Sequence, residues 1–485
     1  MRRLLLPLLL IPTLVITQNA FATTSEIFRP VERTSRAEKV SWVGGYSTFH
    51  GGSQFGFSPS TRSEDFRAQC KKTKDAVCDT DSFVKEVKKF PEGAYASMVL
   101  PYCGTTGSKV CLEDILIENK SLKYVRDIAP FSFAPNFGFQ NVKVEGSSQI
   151  GMPEGGVSSI WEYPQSISGV ANSYLAVSVR YAIQWQKDGS PRYSFAQYTV
   201  TPFVFSDWSA LKDWVNPSAA QAGFTYGTNI DGKLCKYPVF LESKTCPQEI
   251  ALPEGLLIKV IGNLPSQLGG WFNGRIDEPN LTITALDSKI NRIEIEGKSI
   301  RIPRVSVISR KGDAEFRSGV STIYPDDAAE DNINKFVDRI RPLTQDRATG
   351  SSVVWAVKTT DFQKSKCLQS QNKLLGVVTS NALTYQGSAP RMESGFLTYQ
   401  LSGMKYEKDG SITRGNYNLV MRSEVARCLF NLEKKQIRAT VSIIYPDNST
   451  KNVATENLGE RNGWLYIQAK NFTFSNPKVR VALKQ

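Results

Sequence analysis

The clearest chemistry in this 485-residue chain belongs to its eight cysteines. Cys70 to Cys78 and Cys103 to Cys111 repeat one device, Cys-x2-Thr-x3-Val-Cys-x2-Asp, which ends on Asp81 in the first copy and Asp114 in the second. Zinc clusters favour Cys-x2-Cys spacing and recruit histidine. Here seven residues separate each cysteine pair, and the chain has a single histidine. An even number of cysteines in an exported chain reads instead as a disulfide set. Spacing predicts Cys70–Cys78, Cys103–Cys111, Cys235–Cys246 and Cys367–Cys428. Each short loop is worth roughly 2–3 kcal/mol and the long one about 4 kcal/mol in the loop-entropy account. No metal and no cofactor are expected.

Groups that could attack or transfer protons are sparse. His50 sits in Phe49-His50-Gly51-Gly52-Ser53, an order that resembles the His-Gly-Gly of esterase oxyanion loops. A G-x-S-x-G elbow should accompany it, and the nearest segment, Gly146 to Gly151, has the wrong spacing. Ser82-Phe83-Val84-Lys85 has the S-x-x-K order of serine acyltransferases without their downstream partners. Carboxylate pairs recur at Glu64/Asp65, Glu113/Asp114 and Asp326/Asp327. A glycosidase would need two carboxylates facing across a cleft about 5–10 Å apart, and capping and solvation account for these pairs more simply. No residue is assigned a catalytic role.

Binding groups are more abundant. Lys and Arg exceed Asp and Glu by 59 − 46 = +13, which favours anionic partners. Basic residues cluster at Arg67 to Lys74, Lys85 to Lys89 and Arg301 to Arg317. Within the first run, Lys71, Lys72 and Lys74 stand on the first cysteine loop only, and they are the candidate anion contacts. Trp161 with Tyr163 and Trp271 with Phe272 lie near Gly or Pro and are candidates for a sugar-stacking face. The expected partner is an anionic cell-wall polymer or a glycan. Nucleic acid is not expected, because the basic runs lack interleaved aromatics. Asn119, Asn280, Asn448 and Asn471 head N-x-Ser/Thr sequons.

These groups need a scaffold, and its pattern is β. The N-terminus has the form of a secretory signal: Arg2-Arg3, an apolar run to Ile16, then Ala20-Phe21-Ala22 with cleavage near Ala22. That run is shorter than the ~20 residues a membrane span needs, and no transmembrane anchor is expected. From Tyr174 to Gln186, Leu175, Val177, Val179, Tyr181, Ile183 and Trp185 fall on one face. Lys187-Asp188-Gly189-Ser190 then turns the chain into a partner strand over 193–205. A second hairpin of the same design is predicted around Lys408-Asp409-Gly410-Ser411, joining 395–406 to 412–420. Further strands are predicted at 256–261, 281–286, 290–295, 300–308, 437–444, 464–469 and 479–483. Helices are predicted after Asp81, with Phe83, Val87 and Phe90 on one face, near 208–215, and from 325 to 340.

The chain therefore reads as mainly β with a few short helices, multidomain and disulfide-stapled, ending in an antiparallel β-sandwich. Its divisions are a signal peptide (1–22), a Cys-loop N-terminal region (23–150), a central β domain (151–315), a helical joint and linker (316–350) and the sandwich (351–485). The functional expectation is an exported, secreted or cell-surface protein that binds an anionic or glycan polymer without catalysis. A secreted hydrolase acting on glycans or esters, and a structural subunit of a surface layer or appendage, are the alternatives.

Overall fold

The computed structural model describes residues 53–57, 80–127, 143–207, 227–228, 234–235, 245–308, 320–323, 337–338, 341–342, 344–360, 367, 373–386, 389–432, 438–445, 450–453, 455–474 and 477–484. Two compact units divide the chain. The smaller, 1–34 with 306–322, lies almost wholly outside the described residues. Everything below belongs to the larger, which is mainly β with short helices at Thr80–Lys89, Gln165–Ser168 and Ser423–Phe430.

A large sheet forms the spine. Its main path runs Gln54–Phe57, Ala94–Val99, Ser173–Trp185, Pro191–Asp207, Gly350–Thr360, Gly270–Arg275, Leu374–Ser380, Arg414–Arg422, Trp464–Thr473 and Thr455–Arg461. Neighbours along that path are antiparallel except Gly270–Arg275 with Leu374–Ser380, which are parallel. A five-stranded sheet (Asp277–Ala285, Ile290–Lys298, Leu257–Pro265, Leu112–Ile117, Lys120–Ser121) packs on one part of this spine. A six-stranded sheet is built on Phe396–Ser402, Lys478–Lys484 and Arg438–Ile444 and packs on another part. With the spine strands beneath it, the six-stranded sheet makes the C-terminal antiparallel sandwich. Strand pairings cross the sequence divisions at 150 and 350: Leu112–Ile117 pairs Leu257–Pro265, and Gly350–Thr360 pairs Pro191–Asp207.

The predicted hairpin at 187–190 forms as its alternation requires. Ser173–Trp185 pairs Pro191–Asp207 in one register, shifted once between Tyr181 and Ala182. Leu175, Val177, Val179, Tyr181, Ile183 and Trp185 are all buried. Period-2 spacing puts them on one face, and that face joins Val260, Ile293 and Ile295 of the five-stranded sheet in a common core.

The spine changes which face it buries. On one face a row of directly opposed residues reads Val179, Tyr198, Val357, Gly274, Thr379, Asn418, Gln468. On the other face the adjacent row reads Arg180, Gln197, Lys358, Asn273, Val378, Leu419, Ile467. Apolar becomes polar on one side, and polar becomes apolar on the other, at the parallel seam between Gly270–Arg275 and Leu374–Ser380. The five-stranded sheet covers the apolar half of the first face, and the six-stranded sheet covers the apolar half of the second. Close approach at the seam depends on glycine. A Cβ on Gly274 would overlap the Ala356 carbonyl, and one on Gly376 would overlap the Val420 carbonyl and the Trp271 ring.

Three expectations are corrected. The second hairpin closes only at its tip, where Tyr406 bridges Ile412 antiparallel: Phe396–Ser402 belongs to the six-stranded sheet and Arg414–Arg422 to the spine, so the turn at 408–411 links two layers. The first helix begins at Thr80, which leaves Asp81 in its first turn. Phe83 and Val87 are buried, but Phe90 follows the last helical residue and is 44% exposed. The expected helix at 208–215 lies outside the described residues, and of the one at 325–340 only residues 337–338 are described, in helical conformation.

Candidate anion-binding face

The last described strand, Lys478–Lys484, alternates charged and apolar residues without exception until Ala482. Val479, Val481 and Leu483 are buried in the sandwich core with Tyr399, Leu419 and Ile467. Period-2 geometry therefore turns Lys478, Arg480 and Lys484 to the outer face. Neighbouring strands extend that face. Lys484 stands opposite Arg438, and Arg480 stands between Ser442 on one side and Thr398 on the other. Thr398 in turn pairs Arg391 of the Arg391–Glu393 strand. Five cations (Arg391, Arg438, Lys478, Arg480 and Lys484) thus share one sheet face.

A single carboxylate answers them among the described residues of this face. Glu393 ion-pairs with Lys478. That bond from Lys478 holds the Glu393 carboxyl below its ordinary value, opposed by desolvation and reinforced by the charges of Lys478 and Arg391 and by Thr398. The Arg480 guanidinium lies 5.5 Å from the centroid of the half-exposed Phe396 ring. Arg438, Thr440 and Lys484 are exposed, and Gln400, Ser442 and Lys478 are half-buried. Among the described residues the face thus carries five cations and one carboxylate, with Thr398, Gln400, Thr440, Ser442, Ile444 and Ala482 between and beside them.

The other dense polar cluster is saturated by its own members. Where the Asp277–Ala285 strand meets the spine, Asn418 donates to Asp277 at 3.1 Å and to Thr379 at 3.1 Å, and Gln468 donates to Asn418 at 2.7 Å. Lys470 donates to Glu278 at 3.0 Å, and Tyr466 donates to Asn280 at 2.7 Å. The bond from Lys298 is the main cause of a lowered Glu278 pKa, opposed by burial and reinforced by Lys470. Carboxylates locked in this way serve as a joint between sheets.

The second cysteine device, Cys103 to Cys111, is a staple. Cys103 and Cys111 are bridged with Cα atoms 5.0 Å apart, and Cys367 and Cys428 with Cα atoms 5.6 Å apart. Asp114 accepts from the Ile115 N–H at 2.7 Å and from the Ser121 hydroxyl at 2.6 Å, fixing the chain as it leaves the loop. Cys70, Cys78, Lys71, Lys72, Lys74 and His50 lie outside the described residues, as do the side chains of Cys235 and Cys246. No group of three or more His, Cys, Asp or Glu among the described residues is placed to hold a metal ion.

The aromatic candidates are corrected. Trp161 is 1% exposed, Tyr163 3%, and Trp271 and Phe272 are both fully buried. Nearby glycine and proline marked them as loop residues, but all four lie inside strands. Trp161 donates to the Ser159 hydroxyl and packs edge-on against Tyr102 and Tyr124, while Trp271 and Phe272 alternate between the two cores. None presents a stacking surface to a sugar.

The five-cation face escaped a search for basic runs because its members come from residues 391, 438 and 478–484. The signal was present in the alternation Lys-Val-Arg-Val at the start of the last strand. No helix among the described residues is long and apolar enough to cross a membrane. The chain matches no protein-family model, no curated protein and no solved structure.

Proposed function

We propose that this chain is an exported, non-enzymatic protein that binds an anionic polymer of the cell envelope or extracellular space. The outer face of the six-stranded sheet is the binding surface. One observation carries the reading: Arg391, Arg438, Lys478, Arg480 and Lys484 share a sheet face with Glu393 as the single opposing charge among its described residues. A face kept so one-sided repels itself in the free protein and gains when a polyanion releases its counterions. Disulfide stapling suits an oxidising, extracytoplasmic setting.

The test is retention on immobilised anionic polymers across a salt titration. Four net charges predict a log–log slope of about −3 to −4. R438Q/R480Q/K484Q, which leaves the Lys478–Glu393 pair intact, should lose most of the retention at about 50 mM salt, a condition under which such contacts are strongest, with its thermal midpoint close to that of the parent. Unchanged retention in that variant, or no retention of the parent at low salt, overturns the proposal.

A further inference from the structure

Asn263 stands on the Leu257–Pro265 strand beside the Cys103–Cys111 loop, just past the register shift between Ile261 and Gly262. Its backbone N–H donates to the Cys111 carbonyl at 2.8 Å. Its side-chain amide is turned to the disulfide: Nδ2 lies 3.8 Å from Cys111 Sγ and 3.9 Å from Cys103 Sγ. Asn263 is 8% exposed, and its Oδ1 accepts no hydrogen bond among the described residues. A buried amide left half-satisfied weakens the fold, and a disulfide sulfur is too weak an acceptor to offset that. A thiolate is a strong one. Cys111 Sγ also lies 3.6 Å from the Lys109 carbonyl. A bridged sulfur has no proton to give that oxygen, whereas a thiol has. A donor and an acceptor therefore meet at Cys111 Sγ, and together they suit its reduced forms better than the bridged one.

The two sulfurs differ in access. Cys111 is 3% exposed, whereas Cys103 is half-buried and leads into exposed Gly104, Thr105 and Gly107. The frame beneath the loop holds without the bridge. The Cys103 N–H donates to the Leu112 carbonyl at 2.9 Å, and the Leu112 N–H donates to the Pro101 carbonyl at 2.8 Å.

We propose that Cys103–Cys111 is an exchangeable bond, opened by a partner protein that carries a reactive dithiol. The partner's thiolate attacks Cys103 Sγ, and the S–S electron pair leaves on Cys111 Sγ, where Asn263 donates to it. Cys111 then takes a proton from water. The partner's second thiol attacks the mixed disulfide and releases Cys103 as a thiol. The partner ends as a disulfide, and this chain has gained two electrons and two protons. The 104–110 loop loses its covalent closure, while the Leu112–Ile117 strand keeps its pairing with Leu257–Pro265.

Capture by a trap tests the attacked atom. The folded chain is incubated with a dithiol oxidoreductase whose second cysteine is replaced by serine, so that mixed disulfides accumulate, and the captured cysteine is identified by peptide mass spectrometry. Capture is expected at Cys103, ahead of the exposed Cys428 of the other bridge. Capture at Cys111, earlier capture at Cys428, or no capture overturns the proposal. Opening by dithiothreitol, with alkylation of each cysteine at intervals, tests Asn263. N263L removes the donor at similar volume and should slow the opening of Cys103–Cys111 by about tenfold or more, with Cys367–Cys428 opening at the parental rate. N263D keeps the shape, sets a negative charge against the departing thiolate and should slow it further, which gives a second reading if N263L does not fold. A parental rate in either folded variant overturns the proposal.

Discussion

Around Gly189 and around Gly410 the chain turns on the same four residues with the same hydrogen bonds. Asp188 accepts from the Ser190 N–H at 2.9 Å and its hydroxyl at 2.6 Å, and Asp409 accepts from Ser411 at the same two distances. Gln186 and Ser190 close the first turn as Glu407 and Ser411 close the second. Both glycines have positive φ, 78° and 91°. Beyond four residues the likeness ends. The first turn joins two long paired strands of one sheet, whereas the second carries the chain from the six-stranded sheet to the spine. Identical turn chemistry fixes a reversal of direction, and the flanking side chains decide where the strands go. Trp185 before the first turn is buried, while Ile412 after the second is 44% exposed.

Changes at these flanks should separate the two regions most. Trp185 packs edge-on against Phe83 and donates to the Ile150 carbonyl at 2.8 Å, so Trp185→Ala should cost about 3–5 kcal/mol. Ile412→Ala should cost less than about 0.5 kcal/mol. Denaturant unfolding of the two variants checks this, and equal losses would erase the contrast. The second region relies more on its covalent tie. Opening Cys367–Cys428 by Cys428→Ser should cost about 4 kcal/mol, against about 2–3 kcal/mol for Cys111→Ser in the nine-residue loop. Thermal midpoints under matched conditions give the ranking.

The turns themselves should behave alike. Gly189→Ala and Gly410→Ala each force a side chain into positive φ, for about 1–2 kcal/mol apiece. A difference greater than about 1 kcal/mol would mean that tertiary context reaches into the turn. The smallest effect concerns the two carboxylates. Hydrogen bonds from Ser190 and Ser411 hold Asp188 and Asp409 below their ordinary value of 3.8. A lowered folded-state pKa gives a stabilisation that is present above 3.8 and lost as pH falls through the lowered value. Carboxyl carbon shifts followed by NMR should place both titrations below 3.8 and close together.

The same contrast shows what could be read in the residues. Tyr174 to Gln186 alternates over its whole length, and a one-residue slip would expose six apolar side chains, so strand and partner were both legible, while the bulge between Tyr181 and Ala182 was not. Around 408–411 the turn was legible and the pairing was not. Met404 is buried and Tyr406 half-buried, and the choice of sheet lies in contacts with strands far away in the chain. Trp161, Tyr163, Trp271 and Phe272 were misplaced for a related reason. Glycine beside an aromatic reads as a loop, but Gly274 and Gly270 lie in the central strand Gly270–Arg275 itself. The five-cation face was the least legible, because cations from three separate segments meet only after the sheet forms.

The parallel seam of the spine also orders events in time. The Gly270–Arg275 strand leaves the five-stranded sheet at Pro265 and rejoins it at Asp277, so its neighbours in sequence are not its neighbours in the spine. Its partners, Gly350–Thr360 and Leu374–Ser380, emerge roughly 75–110 residues later, several seconds behind it at ordinary synthesis rates. The 173–207 hairpin can close by itself as soon as it is made. The seam must wait, and pairings of such long range are the slow ones. During that interval the strand's two edges stay open to wrong partners. The vulnerable period in making this protein is therefore set by one six-residue strand that has to be held vacant until the C-terminal third arrives.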